Sequence, residues 1–292
     1  MGVSFRELRE RCQLPVRENN DVAGLIYGDR VSLLFTKVLV DRGWSPDVAS
    51  YAMLVCGVVG SLALAIPGWV SVIGAFVVVL YYVFDCVDGE VARWRGIQNL
   101  DWTWLDFLFH LIVKPFMFFF LGVGLYLELG HVWIFGLSFS ALISTLFLKV
   151  LKDMTFPIFC KKILLNPYLA EDKAYANLRR EIEPTPPPKS KPDGEVFRLR
   201  PSLSTVRCFL TNFDIAILLL AIAALIDVAL LGSFELPLIG AVNLRLVLLG
   251  FYAIVLPIDY LDWLQTFIRQ KRFRTEMATL LGAADEFRSE PR

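Results

Sequence analysis

Six long apolar runs separated by polar stretches constrain this chain more than any other feature. They cover residues 49–66, 70–84, 105–127, 132–151, 213–231 and 246–267. A run of roughly 20 apolar residues matches the bilayer core crossed by one helix, which bonds its own backbone amides where no water can. The second run is short, and its helix is expected to continue past Phe84 into polar residues. Hydrophobic side chains make up 56% of the chain and charged ones 20%, so the charges must be segregated into ends and loops. The 29 basic residues cancel the 29 acidic ones, which excludes a nucleic-acid binder held by net charge. Cys12, Cys56, Cys86, Cys160 and Cys208 show no zinc or redox spacing and read as free thiols. The expected fold is therefore all-α, a polytopic membrane protein with six transmembrane helices.

The basic residues are distributed unevenly about these runs. The N-terminal segment holds seven, and the connection after the second run holds two. The end of the fourth run and the connection after it hold twelve, and the end of the sixth run with the tail holds six. The hairpins 67–69, 128–131 and 232–243 hold none, and Lys114 and Arg245 complete the set. The positive-inside rule then places both termini in the cytoplasm. For a bacterial chain the membrane is the inner one.

Three regions follow. Residues 1–47 form a cytoplasmic juxtamembrane segment, too polar to contain a signal peptide, in which 31–40 (VSLLFTKVLV) is expected to lie along the membrane as an amphipathic helix. Residues 48–270 form the six-helix domain, and 271–292 a cytoplasmic tail. Within the domain, the loop 152–205 is polar and rich in proline, including Pro186–Pro188, a composition that argues for an extended, mobile connection. Pro115 and Pro257 are expected to bend their helices.

Acids next to hydrocarbon are expensive, so each requires a reason. Asp85 and Asp88 are i,i+3 neighbours at the polar end of the second span, and Gly89 and Ala92 share much of that face. Such a pair beside nearly absent side chains suits the approach of a phosphate, with a cation between the carboxylates to offset their repulsion. Asp106, His110 and Lys114 recur at i, i+4 and i+8 on the third span. If the two spans are neighbours, three carboxylates and an imidazole converge, a donor set suited to Mg²⁺ or Mn²⁺. The same residues are open to plainer readings: acids that snorkel or pair with Arg, and a Lys114 paired with an inward-facing acid. His131, in an external turn, reads as solvated, and Cys86 as a small packing residue.

The spacing resembles the signature of the CDP-alcohol phosphatidyltransferase family, D-x2-D-G-x2-A-R-x8-G-x3-D-x3-D. Asp85, Asp88, Gly89, Ala92 and Arg93 match its first half, and Asp106 matches the third Asp. Trp102 stands at the second Gly and His110 at the fourth Asp. Upstream, Ser45-Pro46-Asp47-Val48-Ala49-Ser50 resembles the T-P-N-x-x-T start of the first helix in many members. The resemblance implies two divalent ions held by Asp85, Asp88, Asp106 and His110, with Asp88, Gly89, Ala92 and Arg93 meeting the CDP-alcohol. It further implies transfer of a phosphoalcohol, such as phosphatidyl from CDP-diacylglycerol, to a hydroxyl acceptor with release of CMP. His110 would be the base that deprotonates that hydroxyl, and members are often homodimers.

The departures shape these expectations. An imidazole has an ordinary pKa of about 6.5, against about 3.9 for Asp, so His110 is intrinsically the stronger base. As a ligand it lowers the negative charge of the site and favours Mn²⁺ over a second Mg²⁺. Trp102 either stacks on cytosine or anchors its helix at the interface. Acceptor contacts fall to Lys114 and Arg207, with Asn212, Asp214, Asp259 and Asp262 as further candidates. Two rival readings stand beside the transferase: a relative that binds without turnover, and an ion-coupled transporter. For the transporter, only Asp227 and Arg245 supply charge near the outer ends.

Overall fold

The computed structural model of the chain describes residues 2–19, 23–96, 100–153, 209–237 and 239–269. Arg207, nearly all of the 152–205 loop and the 271–292 tail lie outside the described residues. The fold is mostly helical, and six helices are long and apolar enough to cross a membrane. Short helical turns precede them: α1 (Phe5–Leu8), then Arg9–Gln13 and Leu14–Asn19, and Gly24–Gly28 leading into α2 (Asp29–Asp41). The six are α3 (Pro46–Leu64), α4 (Trp69–Arg95), α5 (Leu100–Leu129), α6 (Ile134–Asp153), α7 (Phe213–Ile226, continued without a break by a π-helical turn, Asp227–Leu231) and α8 (Leu244–Arg269). As the short second run implied, α4 continues eleven residues past Phe84, to Arg95. The connection between α7 and α8 contains a feature the all-helical expectation lacks. It is a two-stranded antiparallel hairpin, β1 (Phe234–Leu236) with β2 (Gly240–Val242).

Helix ends follow the local chemistry. Pro46 opens α3 at its first turn, where its missing N–H is no loss, and Ser45 precedes it in extended backbone. Gly96 closes α4 in the left-handed conformation at φ 65°, with its N–H turned back to the carbonyls of Ala92 and Arg93. Asn212 caps α7 by accepting from the N–H groups of Asp214 and Ile215 at 2.8 and 3.1 Å.

The chain divides into two compact units, one of residues 1–146 with 199–257, the other of 147–198 with 258–292. In the first, α3 packs closely on both α4 and α5. Small residues permit this in place of a hydrophobic driving force, which is weak between helices in lipid. A Cβ on Gly60 would lie 2.8 Å from the backbone nitrogen of Val78 and 2.9 Å from the carbonyl oxygen of Gly74. Gly60→Leu is therefore expected to force the α3–α4 pair apart and destabilise the protein by about 1–3 kcal/mol. Thermal unfolding of the detergent-solubilised chain checks this, and an unchanged midpoint would contradict the close approach. In the second unit, the described residues are the ends of α6 and α8, where the rings of Phe147 and Tyr260 meet at 6.1 Å. Asp259 and Asp262 belong to this second unit.

A buried charge knot fastens the first unit at the start of α4. Arg245 is 1% exposed. Its Nε donates to Asp227 at 2.9 Å, Nη2 to both Glu128 oxygens at 2.7 and 2.8 Å, and Nη1 to Ser71 Oγ at 3.1 Å. Asp227 also accepts from the N–H groups of Leu244 and Arg245, so it caps α8 from the end of α7. Asn243 donates to Glu128 at 3.0 Å and accepts from the N–H of Leu246. Four helices are thereby tied by one guanidinium. The two charges that offered a hint of transport bind each other instead.

The 31–40 expectation takes a specific form in α2. Ser32, Thr36 and Leu39 are buried, whereas Leu34 and Val38 are exposed. Hydroxyls turned inward and apolar groups turned outward reverse the pattern of a helix on a water-soluble domain. At the end of α2, Asp41 accepts from Lys37 at 2.7 Å and from the N–H of Val3 at 2.9 Å. The Lys37 bond first, and the Val3 N–H after it, hold this carboxyl below the usual aspartate range.

Candidate metal centre

The carboxylates reach their positions through α4 and α5. Asp85 and Asp88 lie about one turn apart near the polar end of α4, and Asp106 and His110 one turn apart in α5. Close backbone packing runs from α3 to each of these helices, and Asp85 and His110 meet through their side chains. His110 Nε2 lies 3.2 Å from Asp85 Oδ1 and 3.5 Å from Asp106 Oδ1. Each of the three residues offers one ligand atom, and those atoms all fall within 4.8 Å of one another. Ligand atoms about 2.1 Å from one ion lie at most about 4.2 Å apart. Separations of this order are ones a single divalent cation could draw together.

The imidazole is oriented by a residue the sequence reading did not single out. Tyr81 Oη is hydrogen-bonded to His110 Nδ1, and the two rings meet edge to face at 5.6 Å. With Nδ1 occupied, Nε2 is the ring nitrogen turned to the carboxylates. This is how metal-binding histidines are commonly fixed, by a bond to the nitrogen that does not bind metal. A readable signal existed, because Tyr81, Asp85 and Asp88 recur at i, i+4 and i+7 on one face of α4.

Asp88 does not join the three-residue set among the described residues. Its Oδ2 accepts from Ser50 Oγ at 3.0 Å. Ser50 is the last residue of the stretch 45–50 noted above, which gives that stretch a physical role: α3 supplies a hydroxyl that orients Asp88. Gly89 leaves an open face on which the Arg93 guanidinium lies, with Nη1 3.1 Å from where a Cβ would stand. Arg93 Nε donates to the carbonyl of Cys12 at 2.6 Å, so its head group is positioned over the small residues of the site.

The juxtamembrane segment is clamped onto the same stretch of α4. Glu90, 1% exposed, accepts from Gln13 at 2.7 Å, Ser32 at 2.6 Å and Thr36 at 2.5 Å. A buried carboxylate with three donors is satisfied and rigid. Its sequence signal was Ser32 and Thr36, two hydroxyls at i,i+4 in the run 31–40, where Lys37 is the one other polar residue. Beside it, burial pushes the Cys12 thiol up, and the nearby Glu90 carboxylate adds to the shift.

The remaining candidates stand elsewhere. Lys114 Nζ lies 4.8 Å from the centre of the Phe213 ring, a cation–π contact with α7. Asn212 serves as the cap of α7, and the Asp214 carbonyl accepts from Tyr27 Oη at 3.0 Å. His131 stacks on Trp133 at 5.6 Å. Trp102 lies in α5, and its side chain falls outside the described residues. Ala92 keeps its place beside Arg93 on α4. Comparison with family models and with curated proteins finds no match for the chain.

Proposed function

We propose that the chain is a metal-dependent membrane transferase. It moves a phosphoalcohol group, phosphatidyl in the first instance, from a CDP-alcohol to a hydroxyl acceptor and releases CMP. The observation that carries this reading is the meeting of Asp85, Asp106 and His110 from two membrane helices, each with a ligand atom within 4.8 Å of the others. A divalent ion, Mg²⁺ or Mn²⁺, would supply charge neutralisation for the pyrophosphate. In the transfer, the acceptor oxygen bonds to the β-phosphorus and gives up its proton. The bond from that phosphorus to the bridging oxygen breaks, and CMP leaves with that oxygen.

His110 has one nitrogen for this work, since Tyr81 engages Nδ1. Nε2 serves either as the base or as a metal ligand, one role at a time. As a base it forms an imidazolium that Asp85 and Asp106, at 3.2 and 3.5 Å, stabilise. Arg93, beside Gly89, is placed to meet a phosphate oxygen of the donor. Positive charge along the connections favours a site facing the cytoplasm, where the soluble nucleotide is delivered. A homodimer fits the family resemblance.

CMP release from CDP-diacylglycerol, measured with a panel of alcohols and with Mg²⁺ or Mn²⁺, tests the reading. His110→Ala is expected to lose activity and His110→Asp to retain part of it. Full activity in both would remove His110 from the chemistry. Binding of the cytidine compound without CMP release under either metal would instead establish the non-catalytic relative.

A further inference from the structure

A cavity of about 210 Å³ opens between the N-terminal turns and the start of α2, and none of the carboxylate cluster lines it. Arg9 and Arg30 line it, with Asp29 and Gln13, and Leu14, Leu25 and Leu33 form its apolar wall. Gln13 is fixed there, because its amide donates to the Asp29 carbonyl at 2.6 Å and to Glu90. Both arginines are exposed, and among the described residues neither forms an ion pair. Against the single Asp29 carboxylate, the two guanidiniums leave the cavity net positive. Arg30 also falls in register with Ile26, Leu34 and Val38, at spacings of four along one helical face. Those three side chains are 44%, 57% and 41% exposed. A positive cavity is thus continuous with an outward-facing apolar stripe, in a chain with six helices able to cross a membrane.

We infer that this cavity binds the phosphate of an anionic membrane phospholipid, whose acyl chains run along the Ile26, Leu34 and Val38 stripe. The two guanidiniums supply the charge-assisted bonds a phosphodiester accepts, and the leucines cover the glycerol. A soluble phosphate would satisfy the arginines but would leave the stripe without a role. The inference does not depend on the transferase reading, since none of the cavity residues is a candidate metal ligand.

The test is titration of the full-length chain in uncharged detergent, read by native mass spectrometry. The probes are phosphatidylglycerol, phosphatidylcholine and inorganic phosphate. Phosphatidylglycerol is expected to bind best, and the Arg9→Gln/Arg30→Gln double variant to weaken it about tenfold or more. Arg42→Gln removes an equal charge from the same segment, at a residue lying 5.2 Å over the Trp44 ring, and is expected to change affinity less than twofold. Leu33→Trp, which fills the cavity and keeps both charges, is expected to weaken binding as the double variant does. Equal affinity for phosphatidylcholine overturns the inference. So does competition by inorganic phosphate at matched concentration, or unchanged binding in both the double variant and Leu33→Trp.

Discussion

Asp106→Asn is expected to lower CMP release by roughly a thousandfold while leaving the fold intact. The reason lies in what the carboxylate does in each state. Without a cation, Asp85 and Asp106 are like charges gathered around one imidazole nitrogen, an arrangement that opposes folding. With a cation, the same charges become the attraction. The variant should therefore equal or exceed the parent in thermal stability in the presence of a chelator. It should also lose the stabilisation that saturating metal gives the parent, about 2.7 kcal/mol at a hundredfold excess over the dissociation constant. Asp85→Asn should behave alike. Paired melting curves with and without Mn²⁺, alongside the CMP assay, separate this from a structural role, in which the variant would be less stable under both conditions.

Arg245→Met is expected to have the largest effect on stability, about 3–5 kcal/mol. Removal of the guanidinium leaves Asp227, 3% exposed, and Glu128 as facing carboxylates without their shared cation. The cost comes mostly from those stranded charges rather than from the lost bonds. The triple variant Arg245→Met/Asp227→Asn/Glu128→Gln should consequently recover part of the loss. Denaturation followed by tryptophan fluorescence in detergent gives both values. A single variant within about 1 kcal/mol of the parent would show that the knot contributes little. Ser71 and Asp85 are separated by about 21 Å along α4 at 1.5 Å per residue, so metal binding should survive in whichever variants fold.

Much of the fold was legible because the period and length of apolar runs are local properties. All six spans appear where the runs stand, and the extension of α4 followed from the shortness of its run. The hairpin of β1 and β2 was not legible, since strands of three residues are too short for a period of two to stand out in sequence. Within the site, i,i+4 spacing placed Asp106 and His110 on one face, and their meeting with Asp85 required only a neighbouring helix. The role of Glu90 and the pairing of Arg245 with Glu128 escaped because they depend on partners 77 and 117 residues distant in sequence. Tertiary pairing of that range leaves a trace only where an odd residue interrupts a pattern. Ser32 and Thr36 were such interruptions. The aromatic face that meets Lys114 was not legible either, because Phe213 lies 99 residues away in sequence.

The most direct measurement is pulsed electron paramagnetic resonance of Mn²⁺ added to the purified chain. A centre built from Asp85, Asp106 and His110 through Nε2 predicts stoichiometric binding with a ¹⁴N modulation from one imidazole. That modulation should vanish in His110→Asp while the ion stays bound, and binding itself should weaken sharply in Asp85→Asn and Asp106→Asn. Mn²⁺ that does not bind at micromolar concentration, or that binds equally well when both aspartates are replaced, would contradict the centre.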